Sequence, residues 1–211
     1  MPFLARTCGK RSLALVLAQL APSAARSRVR PADGDHHRDV AKEAMLKALL
    51  AGRSVEWLDE VGREYARTVL EGQLRPEMVN QLTWHREQGH ELILVSASLS
   101  AYLEPFGEAH GFDHVIAVDL AADDAGTLTG SLARPNVRGP EKAVRIRGWL
   151  RGDVPAFMWA YGNSSGDRAM LAMADQPVWI GRGRAGRRSR SASGARPQQS
   201  LGREMTMGPR P

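Results

Sequence analysis

The first third of the chain repeats its apolar residues at helical spacing. This spacing predicts three helices, over residues 10–21, 39–51 and 54–71. The intervening stretch PSAARSRVRPADGDHHRD is rich in proline, glycine and charge, which predicts a loop. In the first helix the apolar side chains share one face: Leu13, Val16, Leu17 and Leu20. We therefore expect an ordinary amphipathic helix at this position.

The pattern changes after Arg75 and Pro76, where short apolar runs begin to alternate with helices. The runs ELILVSAS, HVIAVDL, PAFMWAYG and PVWI predict strands, and residues 76–88, 99–110 and 140–150 predict helices. The stretch DDAGTLTGSL predicts a turn into a short extended segment. Alternation of this kind is typical of a parallel sheet wrapped by helices, so we predict an α/β fold.

The net charge of +6 belongs to the end of the chain. Residues 181–211 contain eight arginines and one acid, Glu204, which gives +7 and leaves about −1 for residues 1–180. This tail has too few apolar residues to offset its ordering entropy, so we predict disorder. A solvated tail, or a sequence translated out of frame, accounts for its composition. Nucleic-acid binding is therefore not expected.

Three features bear on the compartment. No apolar run reaches the 18 or so residues needed to cross a bilayer. A secretory signal would also begin with a pair of cations such as Lys10 and Arg11, followed by an apolar run such as SLALVLAQLA. Gln19 interrupts this run, however, and the helical spacing of its apolar residues favours an amphipathic helix. Cys8 is the single cysteine, which excludes an intramolecular disulfide and fits a reducing compartment. We predict a cytoplasmic protein without membrane contact.

Two adjacent histidines, His36 and His37, follow Asp35 in the predicted loop. Adjacent side chains point in different directions and lack the i, i+4 spacing of a helical metal site. A solvated loop is therefore the better interpretation.

Hydroxyl side chains follow the first predicted strand of the α/β half. Residues 91–95 end at Ser96, and a helix is predicted just beyond Ser98. Ligands of open parallel sheets lie outside the carboxyl ends of the strands, so these hydroxyls, beside helix N–H groups, could hold a phosphoryl oxygen. The alternative is that Ser98 or Ser100 caps the helix.

A lysine, Lys142, stands in RGPEK at the start of the predicted helix 140–150. A cation at this position opposes the helix dipole, so a phosphate or a group of carboxylates would supply the missing countercharge. The alternative is an exposed surface lysine.

The polar turn NSSGDRAML follows the strand PAFMWAYG and leads into another amphipathic helix. Asn163 and Asp167 would then lie beside the same strand ends as Ser96, and oxygen ligands of this hard type suit Mg²⁺. The alternative is that both residues only shape the turn and cap the helix.

Four segments in order resemble a known family. HELILVSASLSAYLEPF, TLTGSL, RGPEK and YGNSSGDRAMLAMAD are similar to motifs II, III and IV of haloacid dehalogenase-like hydrolases, subfamily IB, the phosphoserine-phosphatase-like group. The resemblance implies a Rossmann-like parallel sheet core with a helical cap. It divides the chain into a helical cap region at 1–75, an α/β core at 76–180 and the tail at 181–211.

The resemblance also implies a Mg²⁺-dependent phosphatase acting on a small soluble phosphorylated metabolite. Ser96, with Ser98 beside it, would hydrogen-bond the phosphoryl group, and Lys142 would neutralise its charge. Asn163 and Asp167 would belong to the Mg²⁺ site. An aspartate is usual where Asn163 stands, and a neutral carbonyl can still ligate Mg²⁺ with one less charge.

One motif of that family, D-x-D-G-T, has no counterpart. Its first aspartate attacks phosphorus and its second acts as general acid and base. The nearest string contains Asp33 and Asp35, but no apolar strand precedes it and no threonine follows. We therefore expect a chain truncated before this motif, with the first core strand missing and without activity as written.

Two alternatives to an enzyme stay open. One is a non-catalytic phosphate-binding or interaction protein whose basic tail contacts an acidic partner. The other is a chain that forms no packed core. The sequence specifies neither the substrate nor the oligomeric state.

Overall fold

The computed structural model describes residues 2–27 and 34–181, with side chains described outside 21–38 and Glu71. Its α-helices are α1 (Pro2–Thr7), α2 (Lys10–Ser27), α3 (Gly34–Leu50), α4 (Val55–Tyr65), α5 (Pro76–Glu87), α6 (Ser100–Ala109), α7 (Pro140–Leu150) and α8 (Arg168–Leu171). Its strands are β1 (Ile93–Leu99), β2 (His114–Val118), β3 (Leu120–Ala122), β4 (Leu128–Leu132), β5 (Trp159–Gly162) and β6 (Gln176–Trp179). A π-helical turn, Ala66–Leu70, and a 3-10 turn, Glu71–Gln73, extend α4. A second 3-10 turn, Ser165–Asp167, precedes α8.

Three aromatic rings join the amino-terminal helices to α6. Phe3 lies 5.2 Å from Tyr65 and 4.8 Å from Tyr102, measured between ring centroids. The rings of Tyr65 and Tyr102 are 5.2 Å apart in an edge-on arrangement. Such pairs contribute about 0.5–1.5 kcal/mol each beyond the area they bury. The helical region therefore has a packed core, which it shares with α6 of the α/β half.

The predicted loop at residues 22–39 is wrong at both ends. Helix α2 continues to Ser27, because Ala24 and Ala25 are strong helix formers and outweigh the breaker at Pro22. Helix α3 already begins at Gly34, so His36 and His37 belong to a helix backbone and not to a loop. Their side chains, like residues 28–33, lie outside the described part.

The apolar face predicted for α2 is only partly buried. Leu13 is buried, and Val16 and Leu20 pack against the core from partly buried positions. Leu17, by contrast, is exposed. The buried stripe of α2 is therefore narrower than its apolar spacing predicts.

Two of the three strand pairs among the described residues are parallel, as the alternating pattern predicts. β1 pairs with β2, with Ile93 opposite His114 and a register shift between Val95 and Leu99. β5 pairs with β6, while β3 and β4 form an antiparallel hairpin. Among the described residues these pairs are three separate two-stranded sheets. The parallel strands with their flanking helices confirm the predicted α/β class.

The run PAFMWAYG is a strand only in its second half, since β5 begins at Trp159. Pro155 has no N–H to give to a strand, and the neighbouring Val154 is 90% exposed. At Met158 the backbone N–H donates instead to the Asp175 carboxylate, at 2.8 Å. The strand therefore starts where regular pairing with β6 becomes possible.

The segment TLTGSL holds α3 in place. Gly130, within β4, has a φ of +79°, and a Cβ at this position would lie 2.4 Å from the Cα of Lys47 in α3. Only glycine permits both the backbone conformation and this close approach. The hairpin therefore packs directly on α3, which sets the position of the helix relative to β1.

Within residues 2–27 and 34–181, no helix is both long and apolar enough to cross a membrane. The described residues up to Ile180 belong to one compact unit. Residues 182–211 lie outside the described part, so the disorder of this tail stays a prediction.

Candidate functional site

Lys142 lies in the first turn of α7, and its side chain is buried. Its Nζ atom donates a hydrogen bond of 2.7 Å to the Val95 carbonyl oxygen and pairs with Asp167 Oδ1 at 2.8 Å. The residue is only 6% exposed, so the alternative of a surface lysine is wrong. The countercharge expected from the helix position is a carboxylate, and it comes from the turn after β5.

The backbone brings α7 and that turn together. The Gly139 N–H donates to the Gly166 carbonyl oxygen at 2.9 Å. At Gly162, a Cβ would lie 2.7 Å from the Cβ of Asp167, so the chain needs glycine at the end of β5 to bring the carboxylate this close. The positions of Lys142 and Asp167 are therefore set by backbone contacts on both sides.

The Asp167 carboxylate is surrounded by hydrogen-bond donors. Its Oδ2 accepts from the Asn163 N–H at 3.1 Å, the Ser164 N–H at 2.9 Å and the Ser164 hydroxyl at 2.8 Å. Burial alone would raise the pKa of Asp167, but hydrogen bonds from Lys142, Ser164 and Asn163, with the charge of Lys142, lower it below its ordinary value. Asp167 is therefore ionised at neutral pH.

The interpretation of this turn as a helix cap is confirmed in part. Ser164 and Asp167 form a reciprocal capping box at the start of the 3-10 turn. The same carboxylate keeps its Oδ1 for Lys142, so capping and an ionic role coexist in one side chain. The Asn163 side chain is exposed at the end of β5, and only its backbone N–H contacts Asp167.

The oxygen atoms of Asn163 and Asp167 are hard ligands of the kind that suits Mg²⁺, which is often held by one or two carboxylates with water and substrate phosphate. Asp167 Oδ2 accepts three hydrogen bonds and Oδ1 pairs with Lys142 Nζ at 2.8 Å, so both carboxylate oxygens are already engaged within the chain. Among the described residues, no group of three or more His, Cys, Asp or Glu could hold a metal ion. These oxygens are of the donor type that Mg²⁺ takes, and an ion held by them would need further ligands from water or substrate.

Ser96 and Ser98 lie in the irregular end of β1. The register shift between Val95 and Leu99 frees this segment from regular pairing with β2. The Ser98 N–H donates to the Ser96 hydroxyl oxygen at 3.2 Å, and both side chains are partly exposed. Since Ser96 directly follows Val95, whose carbonyl binds Lys142, its backbone lies beside the Lys142–Asp167 pair.

The alternative that a serine caps α6 is wrong. The residue at the cap position is Leu99, and no side chain caps the helix. The hydroxyl of Ser100 donates to the Val118 carbonyl oxygen at 3.3 Å. β1 runs to Leu99, so the helix begins at Ser100, one residue later than predicted.

Three further polar residues at this place were missed by sequence reasoning. Lys42 Nζ in α3 donates to the Ala97 carbonyl oxygen at 2.7 Å and to Asn136 Oδ1 at 2.6 Å. The Asn136 amide in turn donates to Asp39 Oδ1 at 2.6 Å. Asp39 and Lys42 are three residues apart on one helix, and Asn136 lies just before RGPEK. The i, i+3 spacing of Asp39 and Lys42 on one helix was the sequence signal that could have indicated this cluster.

Burial lowers the pKa of Lys42 to about 8, against an opposing effect of Asp39 and together with the positive charge of Arg138. The two acceptors of its ammonium group, a backbone carbonyl and an amide oxygen, are both neutral. Lys42 is therefore a second cation at the end of β1, and its charge is sensitive to mildly alkaline pH.

Comparisons with known proteins agree with this architecture. A model of the haloacid dehalogenase-like hydrolase family matches residues 1–172. Protein CicA of Caulobacter vibrioides (strain NA1000 / CB15N) is 33% identical over 142 residues, which cover 67% of this chain and 64% of that protein.

Two solved structures are similar in fold. The crystal structure of a protein of unknown function from Bordetella pertussis Tohama I has a TM-score of 0.61 and 27% identity, with 82% of each chain covered. A probable phosphoserine phosphatase from Vibrio cholerae has a TM-score of 0.54 and 17% identity, over 84% of this chain and 49% of that one. At this identity the second likeness concerns the fold alone.

Proposed function

Since the chain belongs to the haloacid dehalogenase-like hydrolases, we propose that it is a Mg²⁺-dependent phosphomonoester hydrolase of the phosphoserine-phosphatase-like subfamily IB. The observation that carries this proposal is the buried Lys142–Asp167 pair beside Ser96. The substrate we propose is a small phosphorylated metabolite, and the compartment is the cytoplasm.

Each of these side chains has a role in phosphate chemistry. An ammonium group has three N–H donors, and Lys142 uses two of them on Val95 and Asp167, so the third can reach a phosphoryl oxygen. The hydroxyls of Ser96 and Ser98 would donate to other oxygens of the same group. Together they would offset the negative charge of the phosphoryl group in the transition state.

Asn163 and Asp167 would hold Mg²⁺ at the carboxyl end of β5. The ion, when bound, would neutralise charge on the phosphoryl oxygens. Lys142 would at the same time keep Asp167 ionised and oriented, which is the state that binds a cation.

The nucleophile would have to be a carboxylate that belongs to none of the segments containing Ser96, Lys142 and Asp167. The sequence contains no D-x-D-G-T, and its one D-x-D string, Asp33 to Asp35, lies where no side chain is described. We therefore propose that the 211-residue polypeptide alone does not turn over phosphomonoesters, because covalent transfer needs an attacking carboxylate.

A phosphatase assay with Mg²⁺ on a panel of small phosphomonoesters tests the proposal. The polypeptide alone should be inactive, and a fusion carrying an upstream apolar strand that ends in D-x-D-G-T should gain Mg²⁺-dependent turnover. The matched control is the same fusion with asparagine in place of the first aspartate. Robust turnover by the unfused chain would refute the motif assignment, and a folded but inactive fusion would refute the phosphatase.

The missing D-x-D-G-T string favours a second candidate, a non-catalytic phosphate-binding or interaction protein whose +7 tail contacts an acidic partner. Deletion of residues 181–211 separates the two. Loss of partner binding would support the interaction protein, whereas unchanged behaviour would support the enzyme.

A further inference from the structure

Two histidine rings, those of His85 and His90, face each other across the turn that ends α5. His85 lies in the last turn of the helix, and Gly89 follows with a φ of +71°, a left-handed conformation that glycine adopts readily. The chain therefore turns back on the helix, and the His90 N–H donates to the His85 carbonyl oxygen at 3.0 Å. This turn brings the two Nδ1 atoms to 2.8 Å from each other, and the two residues form a histidine pair.

The histidine pair also joins α5 to β5. His85 Nε2 lies 2.8 Å from the hydroxyl of Tyr161 in β5, and this hydroxyl donates to Gln81 Oε1, one turn earlier in α5, at 3.3 Å. His90 stacks on Trp159 of the same strand, with 4.7 Å between ring centroids. A chain of hydrogen bonds thus runs from Gln81 through Tyr161 and His85 to His90, and it holds the end of α5 on β5.

The positions of the protons in this chain follow from its donors. The Tyr161 hydroxyl gives its hydrogen to Gln81, so its oxygen accepts from the Nε2–H of His85. A neutral imidazole carries one N–H, so the Nδ1 atom of His85 is left as an acceptor. The hydrogen between the two rings therefore belongs to His90 Nδ1, and His85 is neutral.

This arrangement accommodates one added proton but not two. The first proton can bind at Nε2 of His90, which leaves the hydrogen bond between the rings intact. The second has to bind at Nδ1 of His85, which is the acceptor of that hydrogen bond. Two N–H groups would then face each other at 2.8 Å, in two cations whose ring centroids are 5.1 Å apart. The contact between the rings therefore has to open when both are charged.

The surroundings of His85 disfavour its charged form. The residue is only 6% exposed, and the uncharged rings of Trp84 and Trp159 lie 4.6 and 5.4 Å from its own ring, measured between centroids. Burial, together with the charge of His90, lowers the pKa of His85 below the ordinary value of a histidine. A second proton therefore binds to the pair at the cost of the folded arrangement.

Other titratable groups near the pair do not compensate this charge. On β5 the group is Tyr161, whose pKa is raised by burial, so it stays neutral. On α5 and the following turn, Arg86, Glu87 and Glu91 are exposed. The Asp175 carboxylate is hydrogen-bonded to the backbone just before β5. Within the described part of the chain, no carboxylate is hydrogen-bonded to either ring of the pair.

We propose that the histidine pair is a pH-sensitive contact, which holds the end of α5 on β5 at neutral pH and releases it when acid protonates both rings. The unfolded chain binds a proton at this histidine near pH 6.5, and the closed contact binds it less readily. The free energy of opening should therefore fall as the pH falls below 6.5. This device requires neither phosphatase activity nor a bound ligand.

Two measurements on the full 211-residue chain between pH 7.5 and pH 4.5 test the proposal. Nitrogen-15 NMR of the imidazoles should show neutral His85 with its hydrogen on Nε2 at pH 7.5, and two cationic rings at pH 4.5. Hydrogen exchange, corrected for the intrinsic effect of pH, should show protection factors at residues 85–90 and 159–161 that fall about tenfold or more over this range. Residues 55–65 of α4 should keep their protection, because they lie outside the contact.

Two variants assign the effect to the pair. His85→Asn places an amide oxygen near the position of Nδ1, where it can accept from His90 but cannot be protonated, so the fall in protection with acid should disappear. His114→Asn is the matched control, because His114 also stacks on an indole, that of Trp149, with 5.6 Å between ring centroids. This variant should open with acid as the parent does.

Four results would overturn the proposal. The first is two cationic rings with unchanged protection at residues 85–90, and the second is a His85 ring that stays neutral down to pH 4.5. The third is an equal loss of protection at residues 55–65, which would indicate global unfolding. The fourth is an equal acid effect in His85→Asn and the parent, because another group would then be responsible. If His85→Asn does not fold, NMR and hydrogen exchange of the parent decide the matter.

Discussion

Two lysines reach the carboxyl end of β1, the buried Lys142 and the half-buried Lys42, and their surroundings differ. Lys142 of α7 has a carboxylate oxygen of Asp167 at 2.8 Å. Lys42 of α3 has only neutral acceptors, Ala97 O and Asn136 Oδ1, and the nearest carboxylate of its network is reached through Asn136. Lys142 is thus stabilised by a direct ion pair. Lys42 is stabilised by a hydrogen-bond relay, in which Asn136 connects its ammonium group to the Asp39 carboxylate.

The difference shows how the surroundings of a lysine determine how well its charge is compensated. In a buried ion pair each charge is compensated by the other. Removal of one partner is costly, because it leaves the other charge buried without compensation. A relay leaves more of the desolvation cost uncompensated, which is why burial brings the pKa of Lys42 to about 8. Lys142 is therefore held by a direct ion pair, whereas the pKa of Lys42 lies near 8.

The largest effect is expected from breaking the direct pair. Lys142→Met leaves the buried Asp167 carboxylate without its cation and should lower the free energy of unfolding by about 3–5 kcal/mol. The double variant Lys142→Met/Asp167→Asn removes the uncompensated charge and should recover much of that loss. Urea denaturation of the two variants and the parent measures both values. Equal losses in single and double variants would show that Asp167 does not depend on Lys142.

The lowered pKa of Lys42 should make the stability of the protein depend on pH. The folded state releases the Lys42 proton near pH 8 and the unfolded state near pH 10.5, so the unfolded state binds more protons between these values. The free energy of unfolding should therefore rise with pH in this window, by at most about 1.4 kcal/mol per pH unit.

Lys42→Met should remove this rise, and Lys47→Met on the same helix is the matched control that should keep it. Chemical denaturation at several pH values between 7.5 and 10.5 provides the measurement. The burial of Tyr65 and Tyr161 raises the pKa of each and acts in the opposite direction above pH 10, so the difference between variant and parent is the quantity to compare. A difference that does not change with pH would contradict the relay.

The same comparison explains what the sequence could predict. The pair of Lys142 and Asp167 follows from local rules, because a lysine in the first turn of a helix needs a countercharge and the polar turn after a strand supplies one. The bounds of α7, Pro140–Leu150, agree with the predicted helix because another local signal, the proline in its first turn, marks where the helix begins. Roles for these residues in catalysis stay predictions.

Lys42 could not be found in this way. Its hydrogen-bond partners, Ala97 and Asn136, lie 55 and 94 residues further along the chain, so only tertiary structure brings them to the lysine. The predicted loop at 22–39 is wrong for a local reason, because the alanines after Pro22 favour a helix strongly enough to continue α2 past the proline.

The smallest effect on stability, and the most specific effect on function, is expected at Ser96. Its hydroxyl accepts one long hydrogen bond from the Ser98 N–H, so Ser96→Ala should change the free energy of unfolding by less than about 1 kcal/mol. If the hydroxyl donates to a phosphoryl oxygen, the same change should weaken inorganic phosphate binding about tenfold or more. Ser100→Ala is the matched control, because its hydroxyl is engaged with Val118 and should not affect phosphate. Calorimetric titration of both variants with phosphate and Mg²⁺ measures their phosphate affinities. Equal affinities would show that Ser96 does not belong to the site, and would leave the role of the Lys142–Asp167 pair untouched.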